Sequence, residues 1–434
     1  MANDHKLPID DHLDSLLEVL DRQGGRLLLA AAPGAGKSTR LPPALLAHVT
    51  GQVLCLQPRR VAARALAQRV AAERGSRLGD EIGFRTRFEH AGGTDTRLWY
   101  GTEGILLRRL RRDPYLEEIA AVVLDEFHER SVAADLLLGW LSELQQSLRP
   151  DLRLVVMSAT LDGMDLAGYL GVQRYDIPGQ SHAVSTHYEP ARSRERLHEH
   201  VRRVVASHCR DPEQTGDVLV FLPGRGEIRA CAEALVDLTG YQVQQLHGGL
   251  PPAEQDAVLR VSERPRLVLA TNLAETSLTV PGVRTVIDAG LQRVDRFDLE
   301  RGFDCLRLEP CSRAAADQRR GRAGREAPGR CIRLWSRLQE QRRPVALEPA
   351  VGRGDPLPVL CELKSWWGRD SGSFPWLTSP PAAHMAAAEA ELRSMGLLEA
   401  DGRLNPEGRL IAALPLHPRL ARLLVLGARH GQLP

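Results

Sequence analysis

A glycine-rich turn between an apolar run and a helix is the feature that most constrains this chain. The sequence AAPGAGKST (residues 31–39) directly follows the run RLLLA. Gly34 and Gly36 would let backbone N–H groups close on phosphate oxygens, at a helix N-terminus that favours anions. Lys37 would reach the β and γ phosphates, and the Ser38 hydroxyl suits a bridging Mg²⁺ ion. The pattern predicts a nucleotide-phosphate site, here termed the P-loop, whose binding residues are Gly34, Ala35, Gly36, Lys37, Ser38 and Thr39.

A glycine-rich turn can also arise for packing alone, and two features of the chain bear on that alternative. Ala31 stands where such loops usually begin with glycine, but it lies at the strand exit rather than against the phosphates. Of the 57 basic residues only Lys6, Lys37 and Lys364 are lysines. One of these three therefore stands where a P-loop requires lysine, which favours the nucleotide interpretation.

A pair of acids, about ninety residues further on, supplies the other half of such a site. In VVLDEFHER (residues 122–130) an apolar strand would deliver Asp125 and Glu126 to the carboxyl end of a sheet, where ligands bind. Asp125 and Ser38 would hold Mg²⁺, with Glu126 beside the metal. Glu126 would orient or deprotonate the attacking water. Two acids that only cap the next helix remain the alternative, but the upstream P-loop argues against it.

The composition is that of a soluble globular protein. With 434 residues and 43% hydrophobic content, the chain is long enough for two to four domains. The net charge of +2 means that local patches must hold any polyanion. Seven scattered cysteines without a C-x-x-C pair predict reduced thiols in a cytoplasmic protein. The N-terminus lacks a secretion-signal pattern, and no apolar run approaches the ~18 residues of a membrane span.

Apolar runs alternate with amphipathic stretches in two successive parts of the chain, which predicts an α/β fold with two parallel sheets. A stretch rich in Pro, Gly and Ser at residues 179–194 separates them. After residue 344 the strand pattern stops, and helices with a short hairpin predict a small winged-helix domain. The predicted domains are residues 1–182, 183–344 and 345–413, followed by the helical segment 414–434 that cannot form a domain alone. The predicted strands are RLLLAAA, QVLCLQ, RLWYGT, AAVVLDE, RLVVMSAT, DVLVFLPG, QVQQLHG, RLVLATN, TVIDAG and GRCIRLW.

Eight motifs in a fixed order, together with DEFH, carry a family resemblance. The motifs are QPRRVAARALAQRVA, GFRTRFE, GTEGILLRRL, SAT, FLPGRGEI, LHGGLPPAEQ, ATNLAETSLTV and DQRRGRAGR. From residue 7 to its end the chain resembles the DEAH-box/RHA family of superfamily-two helicases, and within it the bacterial members. The resemblance implies two tandem RecA-like domains, a winged-helix domain and the start of a helical ratchet region. In this family the chain normally continues through a complete ratchet and further C-terminal domains.

The resemblance assigns catalytic roles to residues of both RecA-like domains. It implies that Arg322 and Arg325 are arginine fingers, which neutralise charge on a γ-phosphate held by the first domain. Gln318 would position the attacking water. His128 would couple the catalytic site to the facing domain. Hydrolysis would then depend on closure of the cleft, which links each turnover to a movement.

The resemblance also adds Arg69 and Thr279 to the residues that bind the nucleotide. Arg69 matches the position that stacks on one face of the base. Leu259 stands where relatives place the opposing phenylalanine, so we expect one-sided stacking and weak selectivity among nucleotides. Pro281 stands where relatives often have an acid, which removes one ribose or metal-shell contact.

The resemblance implies contacts to a nucleic-acid backbone, through side chains and loop N–H groups that bind phosphate and sugar without reading bases. The predicted contacts are Arg59, Arg60, Arg87, Thr102, Glu103, Gly104, Thr271 and Asn272. Residues 293–306 resemble a β-hairpin that family members place against the duplex junction. We expect a monomeric ATP-dependent helicase or translocase that moves 3′ to 5′ on single-stranded RNA, more so than on DNA. A binding or remodelling scaffold in which hydrolysis is incidental is the alternative.

Overall fold

The computed structural model describes residues 6–32, 34–159, 164–179, 182–211, 215–237, 240–275, 280–367 and 371–431. These residues form two parallel-sheet lobes, a long β-hairpin and a third, mainly helical region. The first lobe contains, in chain order, α1 (Leu13–Arg22), β1 (Arg26–Ala31), α2 (Lys37–His48), β2 (Gln52–Gln57), α3 (Arg60–Glu73), β3 (Ile82–Arg85), β4 (His90–Ala91), β5 (Leu98–Thr102), α4 (Glu103–Leu110), β6 (Ile119–Leu124), α5 (Val132–Ser147), β7 (Arg153–Ser158), α6 (Leu166–Leu170) and β8 (Arg174–Ile177).

The first sheet has the strand order β4-β3-β5-β2-β6-β7-β1-β8, and only the β3–β4 pair is antiparallel among the described strands. In register, Leu28 of β1 lies opposite Val156 of β7 and Arg174 of β8. Both faces of β1 are buried: Leu27 and Leu29 pack with α1, α2 and α3, while Leu28 packs with α4, α5 and α6. A parallel strand that is covered on both faces reads as a continuous apolar run, which explains the sequence RLLLA.

The second lobe contains β9 (Val184–Tyr188), α7 (Leu197–Cys209), β10 (Asp217–Phe221), α8 (Arg225–Leu235), β11 (Gln242–Leu246), α9 (Pro252–Val258), β12 (Arg266–Ala270), β13 (Val283–Asp288), β14 (Leu291–Asp298), β15 (Phe303–Pro310), α10 (Arg313–Gly321), β16 (Gly329–Arg333) and α11 (Arg337–Gln341). Its sheet is parallel, with the order β11-β12-β10-β13-β16-β9. Strands β14 and β15 form a separate antiparallel hairpin, in which Asp298 lies opposite Phe303. This hairpin coincides with the one predicted from the family resemblance.

The third region contains α12 (Ala350–Arg353), α13 (Pro356–Trp366), α14 (Ala382–Ser394), α15 (Pro406–Ala413) and α16 (Pro418–Arg429). An antiparallel bridge joins Leu398 to Leu404 at the predicted hairpin. Helix α13 begins with proline at its first position, and the Asp355 carboxylate caps it by accepting from Leu357 N at 2.8 Å. These elements are consistent with a winged-helix arrangement. No single helix in the described ranges is long and apolar enough to cross a membrane; α15 and α16 qualify only when taken together, across a bend of 114°.

The third region contacts both lobes. On the first lobe, the Trp140 ring of α5 lies 5.2 Å from the Trp366 ring and 5.7 Å from the Trp367 ring, both in edge-to-face geometry. On the hairpin, Arg296 forms an ion pair with Glu348 at 2.6 Å. The third region therefore links the first lobe to the hairpin of the second.

All ten predicted strands are present, as β1, β2, β5, β6, β7, β10, β11, β12, β13 and β16, and the prediction of two parallel sheets is confirmed. Four short strands, β3, β4, β8 and β9, were not predicted. Strands β8 and β9 belong to different sheets, so the chain changes sheet between residues 177 and 184. The domain boundaries given above remain predictions.

All seven cysteines are free thiols. Five of them are buried: Cys55, Cys231, Cys311, Cys331 and Cys361. Burial raises the pKa of Cys231 to about 12, and the pKa of Cys361 likewise to about 12. Buried thiols that stay protonated behave as small apolar groups, so these side chains serve packing.

Gly139 tests how the third region packs on the first lobe. A Cβ at this position of α5 would lie 2.5 Å from the Phe374 ring and 2.9 Å from the Pro375 carbonyl oxygen. Glycine to alanine in a helix interior normally stabilises by about 1 kcal/mol. Here we expect Gly139→Ala to destabilise by about 1–3 kcal/mol, because the third region must shift. Thermal unfolding measures the change, and Gly226→Ala is the matched control, because its new Cβ in α8 would meet nothing within 4 Å. Equal stability of the two variants would contradict the close packing of Gly139 against Phe374 and Pro375.

Candidate active site and nucleic-acid interface

The predicted P-loop joins β1 to α2 and has the backbone of a phosphate-binding turn. Gly34 and Gly36 have φ values of 88° and 94°, a left-handed conformation that glycine adopts without strain. Helix α2 begins at Lys37, so its N-terminal amides point into the turn. The Tyr100 hydroxyl donates to the Ser38 carbonyl at 2.8 Å and ties this first turn of α2 to β5.

Lys37 and Glu126 form a buried ion pair between the P-loop and the acidic motif. Lys37 Nζ lies 3.2 Å from Glu126 Oε1, and the two side chains are 5% and 9% exposed. Burial alone would raise the pKa of Glu126, but the charge of Lys37, aided by His128 and Arg322, lowers it to about 2. Glu126 is therefore a carboxylate at neutral pH, held by the lysine that is predicted to bind phosphate.

Asp125 lies where a divalent metal could be held beside Ser38. Ser38 Oγ donates to Asp125 Oδ2 at 2.5 Å, and Gln57 Nε2 donates to the same oxygen at 2.5 Å. Burial and the neighbouring charge of Glu126 raise the pKa of Asp125. A carboxylate and a hydroxyl in contact are oxygen donors of the kind that Mg²⁺ prefers, and a cation would stabilise the ionised form of Asp125.

Two residues of the acidic motif have strained backbones. Glu126 and Arg130 have φ values of 52° and 46°, which costs a non-glycine residue about 1–3 kcal/mol. Arg130 is held there by a buried ion pair with Asp135 at 2.8 Å and by a hydrogen bond to Thr378 at 3.0 Å. Strain of this kind persists only where the surroundings enforce it, and it is typical of functional loops.

His128 makes its described contacts within its own lobe, the first. Its Nδ1 lies 3.5 Å from Glu126 Oε2 and 3.5 Å from the backbone N of Ala159. Its Nε2 is buried without a hydrogen-bond partner in the described ranges. These contacts place His128 beside the predicted base, while its predicted coupling to the facing lobe remains a prediction.

The predicted arginine fingers lie on the second lobe, directly after α10, and act electrostatically on Glu126. Burial and the charge of Arg325 lower the pKa of Arg322, and Glu126 opposes this shift. Burial likewise lowers the pKa of Arg325 to about 10, again opposed by Glu126. Arg322 is buried and Arg325 is half-buried, and both lie near enough to Glu126 of the first lobe for its charge to act on them. Gln318 lies half-buried on α10, one turn before Arg322.

Glu275 and Arg319 support Arg322 and were missed at the sequence level. The Glu275 carbonyl oxygen accepts from Arg322 Nε at 2.9 Å. The Glu275 carboxylate pairs at 2.8 Å with the fully buried Arg319, which also pairs with Asp288 at 2.9 Å. Glu275 lies in ATNLAETSLTV and Arg319 in DQRRGRAGR, and the sequence holds no signal that these two motifs meet.

The predicted base-stacking residue, Arg69, lies on α3 with its side chain 59% exposed. Its Nε donates to Glu73 Oε1 at 2.8 Å. Leu259 packs partly against the core of the second lobe. Thr279 lies outside the described residues, so its predicted contact to the nucleotide has no structural description.

Arg59 bridges the two lobes at the predicted nucleic-acid interface. One guanidinium nitrogen donates to the Asn272 carbonyl oxygen at 2.6 Å, and another donates to the Glu129 carboxylate at 3.3 Å. Asn272 is exposed, and Thr271 caps the turn that carries it. The structure thus brings together two predicted contacts from different lobes, Arg59 and Asn272.

Arg87 and Gly104 line a cavity of about 450 Å³, whose facing wall is residues 411–418 of the third region. The Arg87 guanidinium donates to the Pro415 carbonyl oxygen at 2.8 Å. Phe88 is 72% exposed and contacts both Arg60 and Arg87, whose Cζ atoms lie 5.5 and 5.1 Å from its ring centroid. Phe88 is not among the predicted nucleic-acid contacts, although its position directly after Arg87 in GFRTRFE was an available signal.

Glu103 does not present its side chain to the surface. It is 7% exposed, and Ser131 Oγ donates to its carboxylate. Burial raises the pKa of Glu103 to about 7. Any contact of Glu103 with nucleic acid would have to come from its backbone, next to Thr102, the residue that precedes α4.

The raised pKa of Glu103 predicts a pH-dependent stability. Below its ordinary pKa of 4.5 the carboxyl is neutral in folded and unfolded chains alike, and the folded state loses stability as pH rises from there through 7. Glu103→Gln keeps the neutral form, so we expect it to be about 1–3 kcal/mol more stable than wild type at pH 8, with a small difference at pH 5. Urea unfolding at both pH values checks this, with the exposed Glu117→Gln as control. A stability difference between Glu103→Gln and wild type that did not change with pH would contradict the raised pKa of Glu103.

Two family models match the chain in the order of its lobes. "DEAD/DEAH box helicase" matches residues 12–167, and "Helicase conserved C-terminal domain" matches residues 197–327. The chain is 42% identical to the ATP-dependent RNA helicase HrpB of Escherichia coli over 426 residues, which is 96% of this chain and 52% of that protein. It is 33% identical to the probable ATP-dependent RNA helicase DHR2 of Saccharomyces cerevisiae, over 98% of this chain and 60% of that protein.

A solved structure gives the same result. The crystal structure of the Escherichia coli DEAH/RHA helicase HrpB superposes with a TM-score of 0.90 at 41% identity, and the match covers 97% of this chain and 54% of that one. The chain thus spans about half the length of HrpB. The shared fold identifies both lobes as RecA-like domains. From its ordered motifs, its two lobes and these matches, the chain belongs to the DEAH-box/RHA family of helicases.

Proposed function

We propose that this chain hydrolyses ATP in the cleft between its two lobes and couples each turnover to movement along single-stranded RNA, in the 3′-to-5′ direction. The observation that carries the proposal is the buried Lys37–Glu126 pair of 3.2 Å in the first lobe, together with the buried Arg322 of the second lobe, which lowers the pKa of the same carboxylate. A passive binding scaffold would have no use for a buried acid paired with the lysine of a P-loop. The names of the relatives, which are ATP-dependent RNA helicases, favour RNA as the track.

Nucleotide binding would begin with an exchange of partners at Lys37. In the structure this lysine neutralises Glu126, whose pKa of about 2 makes it a poor base. A triphosphate in the P-loop would draw the Lys37 charge towards its phosphates and raise the pKa of Glu126 towards the range of a working base. Ser38 and Asp125 would hold Mg²⁺, which when bound would offset the charge of the β and γ phosphates.

The second lobe would supply the positive charge that the transition state of phosphoryl transfer requires. Phosphoryl transfer spreads negative charge over the γ oxygens, and the guanidinium groups of Arg322 and Arg325 would neutralise it from across the cleft. Glu275 holds Arg322 through its carbonyl oxygen. Arg59 bonds to Asn272 across the same cleft. A nucleic-acid strand that binds Arg59 and Asn272 would therefore change the relative position of the two lobes.

A pair of substitutions tests the catalytic proposal. We expect Glu126→Gln to lower kcat about 10²–10⁴-fold while ATP still binds, because it removes the base and keeps its shape. We expect Arg322→Ala to lower kcat about 10³-fold or more. Steady-state ATPase assays and nucleotide titrations measure both. Arg320→Ala is the matched control, because this arginine lies on α10 only two residues before Arg322 and its side chain is 43% exposed. Near-normal turnover in Arg322→Ala would exclude a catalytic role for the second lobe.

Salt dependence tests the nucleic-acid proposal. We expect single-stranded RNA to stimulate hydrolysis at fixed salt, more than single-stranded DNA of the same length. Arg87→Ala should raise the RNA concentration for half-maximal stimulation and reduce the slope of log affinity against log salt by about one, because one phosphate contact is lost. Arg77→Ala, an exposed arginine beyond the far end of α3, should leave that slope as in wild type. Absence of stimulation by either polymer would contradict the proposal.

A further inference from the structure

Residues 7–10, ahead of the first helix, pack directly on the P-loop. The Ile9 N–H donates to the Ala35 carbonyl oxygen at 3.1 Å, and the Ile9 side chain is fully buried. A Cβ at Gly36 would lie 2.8 Å from Leu7 and 2.9 Å from Ile9, so the segment and the loop are in close contact. Any displacement of this segment would therefore move the backbone that cradles the phosphates.

Asp10 connects this segment to the first turn of α2. Its Oδ2 accepts from the Leu7 N–H at 2.7 Å, and its Oδ1 lies 3.4 Å from Arg40 Nε. Arg40 follows Lys37 by three residues, and its backbone N–H donates to the Gly36 carbonyl oxygen at 2.9 Å. Arg40 is thus fixed to the P-loop at its backbone and to the N-terminal segment at its side chain.

Glu73, the last residue of α3, lies between Arg40 and Arg69. Its Oε2 lies 3.4 Å from Arg40 Nη1, and its Oε1 accepts from Arg69 Nε at 2.8 Å. The Arg40 and Glu73 side chains are about a quarter exposed, whereas that of Arg69 is 59% exposed. A cavity of about 350 Å³ opens beside Asp10, Arg40 and Glu73 and reaches Thr39 of the P-loop. The four charged groups form a chain from the N-terminal segment to the exposed guanidinium.

Helix stability does not account for Glu73. A carboxylate at a helix C-terminus opposes the helix dipole, and an arginine that precedes a glutamate by four residues is the weaker order of an ion pair. An ordinary surface pair of this kind contributes little. The second oxygen of Glu73 is buried against Arg40, which a simple surface pair would not require.

We propose that Glu73 is a positioning residue for the nucleobase. Glu73 holds one edge of the Arg69 guanidinium and leaves its flat face for the base. Through Arg40 and Asp10 it also fixes the position of Arg69 relative to the P-loop. A free arginine side chain loses rotamer entropy when a ligand orders it, so fixing the side chain beforehand strengthens binding. On the opposite side only the aliphatic Leu259 is expected, which makes the orientation of Arg69 the main determinant of base binding. This inference rests on the proposed ATPase function of the cleft.

The test separates the base from the phosphates. In the full chain we expect Glu73→Gln to raise the Kd and KM for ATP about three- to tenfold with kcat within twofold of wild type. Affinity for inorganic tripolyphosphate, which has no base, should not change. In an Arg69→Ala background the Glu73→Gln substitution should have no further effect on ATP affinity. Calorimetric titration without RNA measures these affinities, so a failure of RNA stimulation would be seen separately.

Glu389→Gln is the matched control, because Glu389 and Arg393 form an i,i+4 pair of 2.9 Å on α14, away from the nucleotide. Its ATP affinity should equal that of wild type. Equal weakening of ATP and tripolyphosphate by Glu73→Gln would overturn the proposal in favour of a general support of the P-loop. Unchanged ATP affinity in Glu73→Gln, or a full Glu73→Gln effect without Arg69, would overturn it as well.

Discussion

The buried pair of Lys37 and Glu126 is the interaction on which the rest of the site depends. Each charge is almost fully removed from water, and neither could remain ionised there alone without a cost of several kcal/mol. The pair therefore forces the P-loop and the acidic strand end to lie in contact. Arg322 adds positive charge from the second lobe to the same acid. Charge balance thus explains why the P-loop and the acidic strand end of the first lobe lie in contact, and why Arg322 of the second lobe faces them.

The loop at residues 125–130 is the point where three parts of the molecule meet. Glu126 contacts the P-loop, and Glu129 accepts from Arg59, which also bonds to Asn272 of the second lobe. The Arg130 carbonyl oxygen accepts from the Ala350 N–H of the third region at 3.0 Å. These contacts help to hold the strained backbone of this loop, so we expect a change at any one of them to alter the position of Glu126. The predicted nucleotide site at Glu126 and the predicted nucleic-acid contact of Arg59 at Glu129 therefore lie on one loop, three residues apart.

The sequence predicts most of this arrangement where the signal is local. Strands buried on both faces read as apolar runs, and glycines that need a positive φ appear in the P-loop. Strands β8 and β9, RYDI and VSTHY, were missed because they are short, half-polar and at sheet edges. The buried position of Glu103 and the meeting of Glu275 with Arg319 depend on packing between distant segments. Motif order alone carries no information about such contacts.

Arginine and lysine make different kinds of contact at the junctions and at the P-loop. Arginine serves where one side chain must hold two acceptors at once: Arg59 binds Asn272 and Glu129, and Arg319 binds Glu275 and Asp288. Such two-point contacts are costly to break, which suits junctions that keep lobes and helices in register. Lys37 holds Glu126 through a single contact from a compact charge. A single contact can be exchanged for a phosphate without dismantling the surrounding network, and at this position an arginine would resist the exchange on which the proposed cycle depends.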